Sequence, residues 1–148
     1  MSIQHSNLKP LIFREEETER RKKFTIKSSL KSFEKIVSVI IPVYNEEKTI
    51  KKTLDRIPNH LKYERLIVDD GSTENSVKQI RKSNRKGIKI IQHKKNEGYG
   101  AAIQTGLEHA SGEIIVTIDS DGQHNPKEIP KLLIPLIAQK ADMVIGSR

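Results

Sequence analysis

Two carboxylates stand one residue apart where an apolar run ends. The segment IDSDGQHNP, residues 118–126, follows EIIVT and carries Asp119 and Asp121, with Gln123 and His124 just beyond them. Like charges this close repel each other unless a cation lies between them or water screens them. Carboxylate oxygens are the ligands that Mg²⁺ and Mn²⁺ prefer, and a nearby histidine favours Mn²⁺ slightly. The alternative is an Asx-rich turn that caps the next helix, although such a turn needs only one acid.

The elements that would position these acids alternate between short apolar runs and helical patterns. The sequence predicts strands at residues 37–41, 65–68, 88–92, 113–118 and from 143, and helices at residues 46–57, 76–85, 100–110 and 126–138. Strands that alternate with helices and are apolar on both faces are typical of a parallel sheet covered on two sides. Right-handed crossovers bring the carboxyl ends of these strands to one edge, where open α/β sheets bind ligands.

Unusual segments follow each of the first four predicted strands. They are PVYNEE at residues 42–47, DDGS at 69–72, HKKNEGYGAA at 93–102 and DSDGQH at 119–124. A structural explanation exists for each of the first three as well: Asn45 as a helix N-cap, a glycine turn with Ser72 or Thr73 as the next cap, and close helix packing through glycine and alanine. A chemical explanation also exists. Tyr44 could stack on a flat ring, Asp70 could accept hydrogen bonds from a base or ribose, and a glycine-rich helix start could bind phosphate.

The composition narrows the class of protein without choosing a partner. The 148 residues suit one domain, and 27 Lys and Arg against 19 Asp and Glu give a net charge of +8, which favours anionic partners. The absence of cysteine excludes disulfides and thiolate metal sites. No apolar run reaches the roughly 20 residues that span a bilayer. Dispersed basic residues without a recognition motif argue against nucleic acid as a partner.

Residues 1–35 differ from the rest of the chain. They contain REEETERRKK, scattered lysines and little apolar periodicity, which predicts a basic, solvated extension that is partly helical or disordered. The alternative is a basic surface helix that touches an anionic membrane through a weak apolar anchor. The interleaved glutamates count against that alternative.

Four segments, in order, carry a family resemblance. VSVIIPVYNEEKTI, LIVDDGSTENS, NEGYGAAIQTGLEHASGEIIVTIDSDGQHNPKEI and MVIGSR resemble family 2 glycosyltransferases, and most of all the dolichyl-phosphate mannose synthase and polyprenyl-phosphate glycosyltransferase branch. The resemblance covers residues 36–148 and implies a GT-A fold, a mostly parallel Rossmann-like sheet with helices on both faces. It also implies a nucleotide-diphosphate sugar donor and a divalent cation, Mn²⁺ or Mg²⁺. The acceptor loop and the C-terminal part of such a domain would lie beyond Arg148, so we expect the donor-binding half.

The resemblance also implies roles for individual residues. The metal would be held by Asp119, Asp121 and Gln123. Asp121 and Arg148 would act in catalysis, with Arg148 near the phosphate. The donor would be contacted by Pro42, Tyr44, Glu46, Val68, Asp70, Asp119, Ile145 and Arg148.

The function that follows is a metal-dependent, inverting transfer of a hexose to polyprenyl or dolichyl phosphate. Such an acceptor is already an anion and needs little or no general base, whereas a saccharide hydroxyl, the alternative acceptor, needs one. A second alternative is a nucleotide-sugar-binding module that is catalytically incomplete. The expected location is the cytoplasm or the cytoplasmic face of a membrane, with peripheral membrane contact as an option.

Overall fold

A computed structural model of the chain describes residues 37–59, 62–73, 75–83 and 85–146. The strands are β1 (Val37–Val43), β2 (Tyr63–Asp69), β3 (Ile88–Gln92) and β4 (Ile114–Thr117), and the helices are α1 (Ile50–Arg56), α2 (Ser76–Arg81), α3 (Tyr99–His109) and α4 (Ile129–Ile137), the last preceded by a 3₁₀ turn, Pro126–Glu128. All pairings are parallel, and the strand order is β3-β2-β1-β4. The predicted parallel α/β sheet is confirmed. The predicted basic extension, residues 1–35, lies outside the described residues.

The core explains why the central strands are apolar without interruption. All seven residues of β1 are buried, because side chains that alternate between the two faces of the sheet meet a helix on either side. On one face the apolar side chains of β1 pack with α1, α2 and α4 through Leu54, Ile80 and Leu133. On the other face α3 lies close enough that Gly106 faces Ile40 directly.

Pro42 does not end β1, contrary to the sequence-based boundary at residue 41. The pairing of β1 with β4 stops at Ile40 and Thr117, followed by one hydrogen bond of 3.1 Å from the Ile118 N–H to the Ile40 carbonyl. The next position of β1 that faces β4 is Pro42, which has no N–H to donate. On its other side β1 stays paired with β2 up to Val43. The proline therefore ends β4 rather than β1, and the chain after Ile118 leaves the sheet.

Two further sequence-based predictions were wrong in detail. The strand expected from residue 143 is not formed: Met143 and Ile145 are 77% and 82% exposed, and their backbone pairs with none of the described strands. With so little apolar area buried, nothing offsets the entropy cost of ordering a strand there. Helix α1 begins at Ile50 instead of residue 46, and the N-cap residue before it, Thr49, makes no side-chain hydrogen bond to the helix start. Asn45 has a φ of 53° and bonds elsewhere.

Replacing Gly106 with alanine should destabilise the fold by about 1–3 kcal/mol, the usual cost of overpacking a core. An added Cβ would lie 2.4 Å from Cγ2 of Ile40, a methyl group on a branched side chain that cannot swing away. Urea unfolding at neutral pH measures the loss. The matched control is Gly100→Ala in the same helix, where an added Cβ meets no atom within 4 Å; we expect that variant to be unchanged or slightly more stable. Equal stability of both variants would contradict the close approach of α3.

Candidate functional site

The carboxyl edge of the sheet carries a cleft of about 430 Å³ between the strand ends and the start of α3. The chain segments that leave β1, β2 and β4 contribute to it, as does the loop that leads from β3 into α3. Its polar and aromatic lining consists of Tyr44, Glu46, Asp70, Asn96, Tyr99, Asp119, Ser120 and Asp121. Three acidic turns that are far apart in the sequence therefore meet at one cleft, as the parallel topology predicts.

The segment Asp119–Ser120–Asp121 is fixed by its central residue. Ser120 is 5% exposed, and its hydroxyl donates a 2.9 Å hydrogen bond to the carbonyl of Pro42. The Thr53 hydroxyl bonds the Ser120 carbonyl at 3.4 Å. The serine side chain is thus held at Pro42, and Asp119 and Asp121 on either side of it both line the cleft.

The two carboxylates of this segment have different partners. One oxygen of Asp119 accepts a 3.0 Å hydrogen bond from the Tyr99 hydroxyl, and its other oxygen lies 3.5 Å from Nδ1 of His124. One oxygen of Asp121 accepts a 2.9 Å hydrogen bond from the Gln123 N–H, which closes an Asx turn, while its second oxygen has no hydrogen-bond partner in the described part of the chain. At least one oxygen on each aspartate is thus available to a ligand.

These donors fit a cation that needs few protein ligands. Among the described residues no group of three or more histidine, aspartate or glutamate side chains converges on a point where it could hold a metal. A dedicated all-protein cage is therefore not what this cleft offers. Mg²⁺ is commonly bound by one or two carboxylates and completes its shell with water and substrate phosphates. Asp119 and Asp121 beside an open cleft suit that arrangement. Close to them, Nδ1 of His124 is buried and has no hydrogen bond within the described residues.

Asp70 holds the start of α3 in place. Its side chain is 5% exposed and accepts hydrogen bonds from Nδ1 of His93 at 2.7 Å, from the Glu97 N–H at 2.9 Å and from the Gly98 N–H at 2.8 Å. Nε2 of His93 pairs at 2.9 Å with the hydroxyl of Thr105, which lies nearly two turns into α3. A single buried carboxylate thereby joins the ends of β2 and β3 to the first turn of the helix.

The remaining residues of the DDGS turn bind other loops and do not cap α2. Asp69 is 1% exposed and accepts from the Ser72 N–H at 3.3 Å and from the Gln92 side chain at 2.9 Å. The Ser72 hydroxyl accepts from the Asn45 N–H, and the Asn45 side chain accepts from the N–H of Thr73, each at 3.0 Å. The expected caps at Asn45, Ser72 and Thr73 were therefore wrong, since these polar groups join two turns at the edge of the cleft.

Gly71 permits a close approach between two of the cleft's loops. Its φ is +72°, and a Cβ atom there would lie 2.5 Å from the carbonyl carbon of Lys95 and 2.7 Å from the nitrogen of Asn96. Only glycine tolerates both this backbone conformation and this contact. The turn after β2 is thus pressed against the loop before α3.

The pKa values of two ionisable groups in the cleft are shifted by their surroundings. Burial raises the pKa of the Asp70 carboxyl, but the N–H groups of Glu97 and Gly98 and the ring of His93 outweigh it, so that this pKa lies below its ordinary value of 3.8. Partial burial raises the pKa of the Tyr99 hydroxyl, and the adjacent Asp119 carboxylate raises it further. At neutral pH Asp70 is therefore an anion and Tyr99 a hydrogen-bond donor.

Comparison with known proteins identifies the family. The sequence model described as "Glycosyl transferase family 2" matches residues 38–148. The chain belongs to glycosyl transferase family 2. This result confirms the resemblance of the four segments.

The curated family 2 relatives include proteins named as dolichyl-phosphate sugar transferases. The chain is 37% identical over 132 residues to UDP-N-acetylglucosamine–dolichyl-phosphate N-acetylglucosaminyltransferase of Methanococcus voltae, covering 78% of this chain and 53% of that protein. It is 40% identical over 116 residues to dolichol-phosphate mannosyltransferase of Pyrococcus furiosus, covering 76% of this chain and 33% of that protein. The chain thus spans about half, or less, of the length of these curated relatives.

Solved structures of other glycosyltransferases share the fold. Mannosyltransferase PcManGT from Pyrobaculum calidifontis, in complex with GDP-Man and Mn²⁺, matches with a TM-score of 0.55 and 28% identity over 69% of this chain and 34% of that one. Glucosyl-3-phosphoglycerate synthase of Mycobacterium tuberculosis matches with a TM-score of 0.62 and 27% identity over 77% of this chain and 44% of that one. The predicted GT-A fold class is therefore confirmed.

The family 2 site residues expected from the sequence fall into two groups. The cleft brings together Pro42, Tyr44, Glu46, Asp70, Asp119 and Asp121. The side chain of Val68 is fully buried, Ile145 is 82% exposed, and neither lines the cleft. Gln123 is exposed beside the cleft and contributes a backbone N–H to Asp121, while Arg148 lies outside the described residues. The functional roles of all these residues remain predictions.

Sequence reasoning missed three residues that shape this family 2 cleft. Tyr99 was only part of a glycine-rich helix start, although an aromatic residue between two glycines at a sheet edge is itself a signal. His93 follows β3 directly, and its position at the same edge as Asp70 could have suggested the pair. No local pattern marks Ser120 as the inward anchor, because its partner Pro42 is 78 residues away.

Proposed function

We propose that this chain binds a nucleotide-diphosphate sugar together with Mn²⁺ or Mg²⁺, and that the whole protein transfers the hexose to polyprenyl or dolichyl phosphate with inversion. The observation that carries the proposal is the meeting of Asp70, Asp119 and Asp121 at one cleft in a family 2 chain. Relatives named as dolichyl- and undecaprenyl-phosphate sugar transferases support the acceptor. Similar solved structures with GDP-Man and Mn²⁺, or with UDP and Mg²⁺, support the donor and the metal.

Each loop of the cleft has a task in this proposal. Tyr44, 45% exposed at the exit of β1, would lie against the flat base of the nucleotide. Glu46, whose carboxylate accepts from the Thr49 hydroxyl, lies nearby on the same wall and would accept from a sugar or ribose hydroxyl. Asp119 and Asp121 would hold the divalent cation. When bound, that cation supplies Lewis-acid stabilisation of the charge that builds on the leaving diphosphate.

The inverting outcome follows from a single displacement. An acceptor oxygen that attacks the anomeric carbon opposite the diphosphate forms the new glycosidic bond as the old one breaks, which inverts the configuration. A phosphate acceptor is anionic before the reaction and needs no residue to remove a proton. All three cleft aspartates are already assigned, since Asp70 holds a loop and the other two face the cation. The preference for a lipid phosphate over a saccharide hydroxyl rests on the relatives named as dolichyl- and undecaprenyl-phosphate sugar transferases.

Membrane contact and cytoplasmic location stay part of the proposal. In the part of the chain that the structure describes, no helix has the length and apolar character needed to cross a bilayer. A lipid-linked acceptor would instead be approached at a membrane surface, and the positive net charge of +8 favours surfaces rich in anionic lipid.

Calorimetry on this 148-residue chain tests donor binding. We expect GDP-mannose or UDP-N-acetylglucosamine to bind in the presence of Mn²⁺, and the affinity to fall by roughly 10-fold or more in EDTA because carboxylates then face the diphosphate without a cation between them. Absence of binding to either nucleotide-sugar under both conditions would contradict the proposal. Transfer of labelled hexose to polyprenyl phosphate by the full-length protein separates the enzyme from a module that binds without turnover.

A further inference from the structure

Tyr99 differs from the other cleft residues because its side chain is exposed and yet fixed by a hydrogen bond. It is the first residue of α3, 60% of its surface is accessible, and its hydroxyl donates a 3.0 Å hydrogen bond to Oδ1 of Asp119. An exposed tyrosine normally has little to hold it in one rotamer. Here the ring spans the mouth of the cleft from the helix to the segment after β4.

The position of Tyr99 is set by the backbone on its N-terminal side. The Glu97 and Gly98 N–H groups both bind the buried carboxylate of Asp70, and Gly98, at φ 98°, turns the chain into the helix. The preceding loop rests on Gly71. The helix start cannot shift without breaking charge-assisted hydrogen bonds, so the tyrosine hydroxyl is delivered to a fixed point.

Asp119 needs such a partner if it is to bind a cation well. Its side chain is 38% exposed, and a carboxylate at that level of exposure samples several orientations in water. Tyr99 holds Oδ1, which leaves Oδ2 directed toward His124 and the open cleft. Carboxylates that bind metals are commonly oriented by hydrogen bonds from residues that do not touch the metal, and loss of such a partner typically weakens metal binding 10- to 100-fold.

We propose that Tyr99 is a positioning residue that orients Asp119 for a divalent cation, and that it links the Asp70-bound loop to the metal-binding segment. This inference rests on the metal site in the proposed function. It adds a residue that acts through a hydrogen bond to a ligand and not through contact with the cation. It also gives the loop before α3 a part in metal binding, since that loop places the hydroxyl.

The test is a titration of the 148-residue chain with Mn²⁺ alone, followed by electron paramagnetic resonance of the free ion. Tyr99→Phe removes only the hydroxyl, and we expect Mn²⁺ affinity to fall by roughly 10-fold or more. The matched control is Tyr63→Phe, which deletes a buried hydroxyl without a described hydrogen-bond partner at the start of β2, the opposite edge of the sheet. That variant should bind Mn²⁺ as the unchanged chain does.

Hydrogen exchange at the Glu97 and Gly98 amides separates positioning from general structural support. Both amides should remain as protected in Tyr99→Phe as in the unchanged chain, because their acceptor Asp70 is untouched. Equal Mn²⁺ affinity of the two proteins overturns the inference and leaves the metal site standing. Loss of amide protection in step with the loss of affinity also overturns it, because the tyrosine would then only hold the loop. No Mn²⁺ binding by the unchanged chain overturns both this inference and the metal site.

Discussion

Replacing Asp121 with asparagine should lower the affinity for Mn²⁺ by roughly 100-fold or more while leaving the fold intact. The amide oxygen of asparagine can still accept the hydrogen bond from the Gln123 N–H, so the Asx turn is preserved. What is lost is the negative charge and the second carboxylate oxygen that faces the cleft. Hard divalent cations depend on both. Metal-dependent binding of the nucleotide-sugar should fall in parallel, as measured by calorimetry.

The control for this variant removes a carboxylate charge elsewhere. Glu128→Gln changes an exposed side chain whose Oε1 lies 3.8 Å from the Lys131 ammonium and which does not line the cleft. It changes the net charge by the same amount, and we expect Mn²⁺ affinity to stay the same. If Asp121→Asn and Glu128→Gln lowered the affinity equally, the effect would be one of overall charge and Asp121 would not be a ligand.

Replacing Asp70 with asparagine should lower the free energy of unfolding by about 3 kcal/mol. The carboxylate accepts three hydrogen bonds, one from the His93 ring and two from backbone N–H groups, so both of its oxygens face donors. An asparagine keeps one oxygen, but its NH₂ group must then face a donor in a nearly dry site. A hydrogen bond to a charged group contributes about 1.5–3 kcal/mol, and an unpaired buried donor costs about 1–3 kcal/mol. Urea unfolding measures the sum.

The neighbouring carboxylate provides the matched control. Asp69 is buried as deeply, but it bonds one N–H and the amide of Gln92, which can rotate to offer its oxygen to an asparagine NH₂ group. Asp69→Asn should therefore lose about 1 kcal/mol or less. If both variants lost the same free energy, the three-donor arrangement around Asp70 would not be what stabilises the loop.

The contribution of Asp70 should also depend on pH in a defined direction. Its pKa in the folded protein lies below the ordinary value of 3.8, because its hydrogen bonds favour the charged form over the cost of burial. The stabilisation is therefore fully present above about pH 4 and is lost as the pH falls through the lowered folded pKa. The difference in stability between the unchanged chain and Asp70→Asn should narrow over that acidic range. A constant difference down to pH 2 would contradict the assignment.

The order of the elements could be predicted because local patterns and topology agree. Strands apolar on both faces, such as Val37–Val43, need helices on each side, and parallel crossovers then fix which edge carries the loops. Boundaries failed where a distant partner decides them. Pro42 stays within β1 because β2 still pairs with it, whereas Met143 pairs with none of the described strands. Neither fact is visible in the local sequence.

The acids of the site could be predicted, but their neighbours could not. Asp70, Asp119 and Asp121 are conspicuous by residue type, since a turn needs fewer acids than these loops carry. The contacts that give them different roles span long separations: 23 residues between Asp70 and His93, and 20 between Asp119 and Tyr99. Such contacts depend on how two loops pack. The sequence therefore could not show that Asp70 holds the loop before α3 while Asp119 and Asp121 face the cleft.

Ser120 constrains the length of the chain segment that follows β4 as well as its chemistry. Its hydroxyl bonds the carbonyl of Pro42 at 2.9 Å, and the two aspartates that line the cleft lie directly before and after this fixed point. Inserting or deleting one residue between Ile118 and Ser120 would therefore break the bond to Pro42 or move both aspartates away from the cleft.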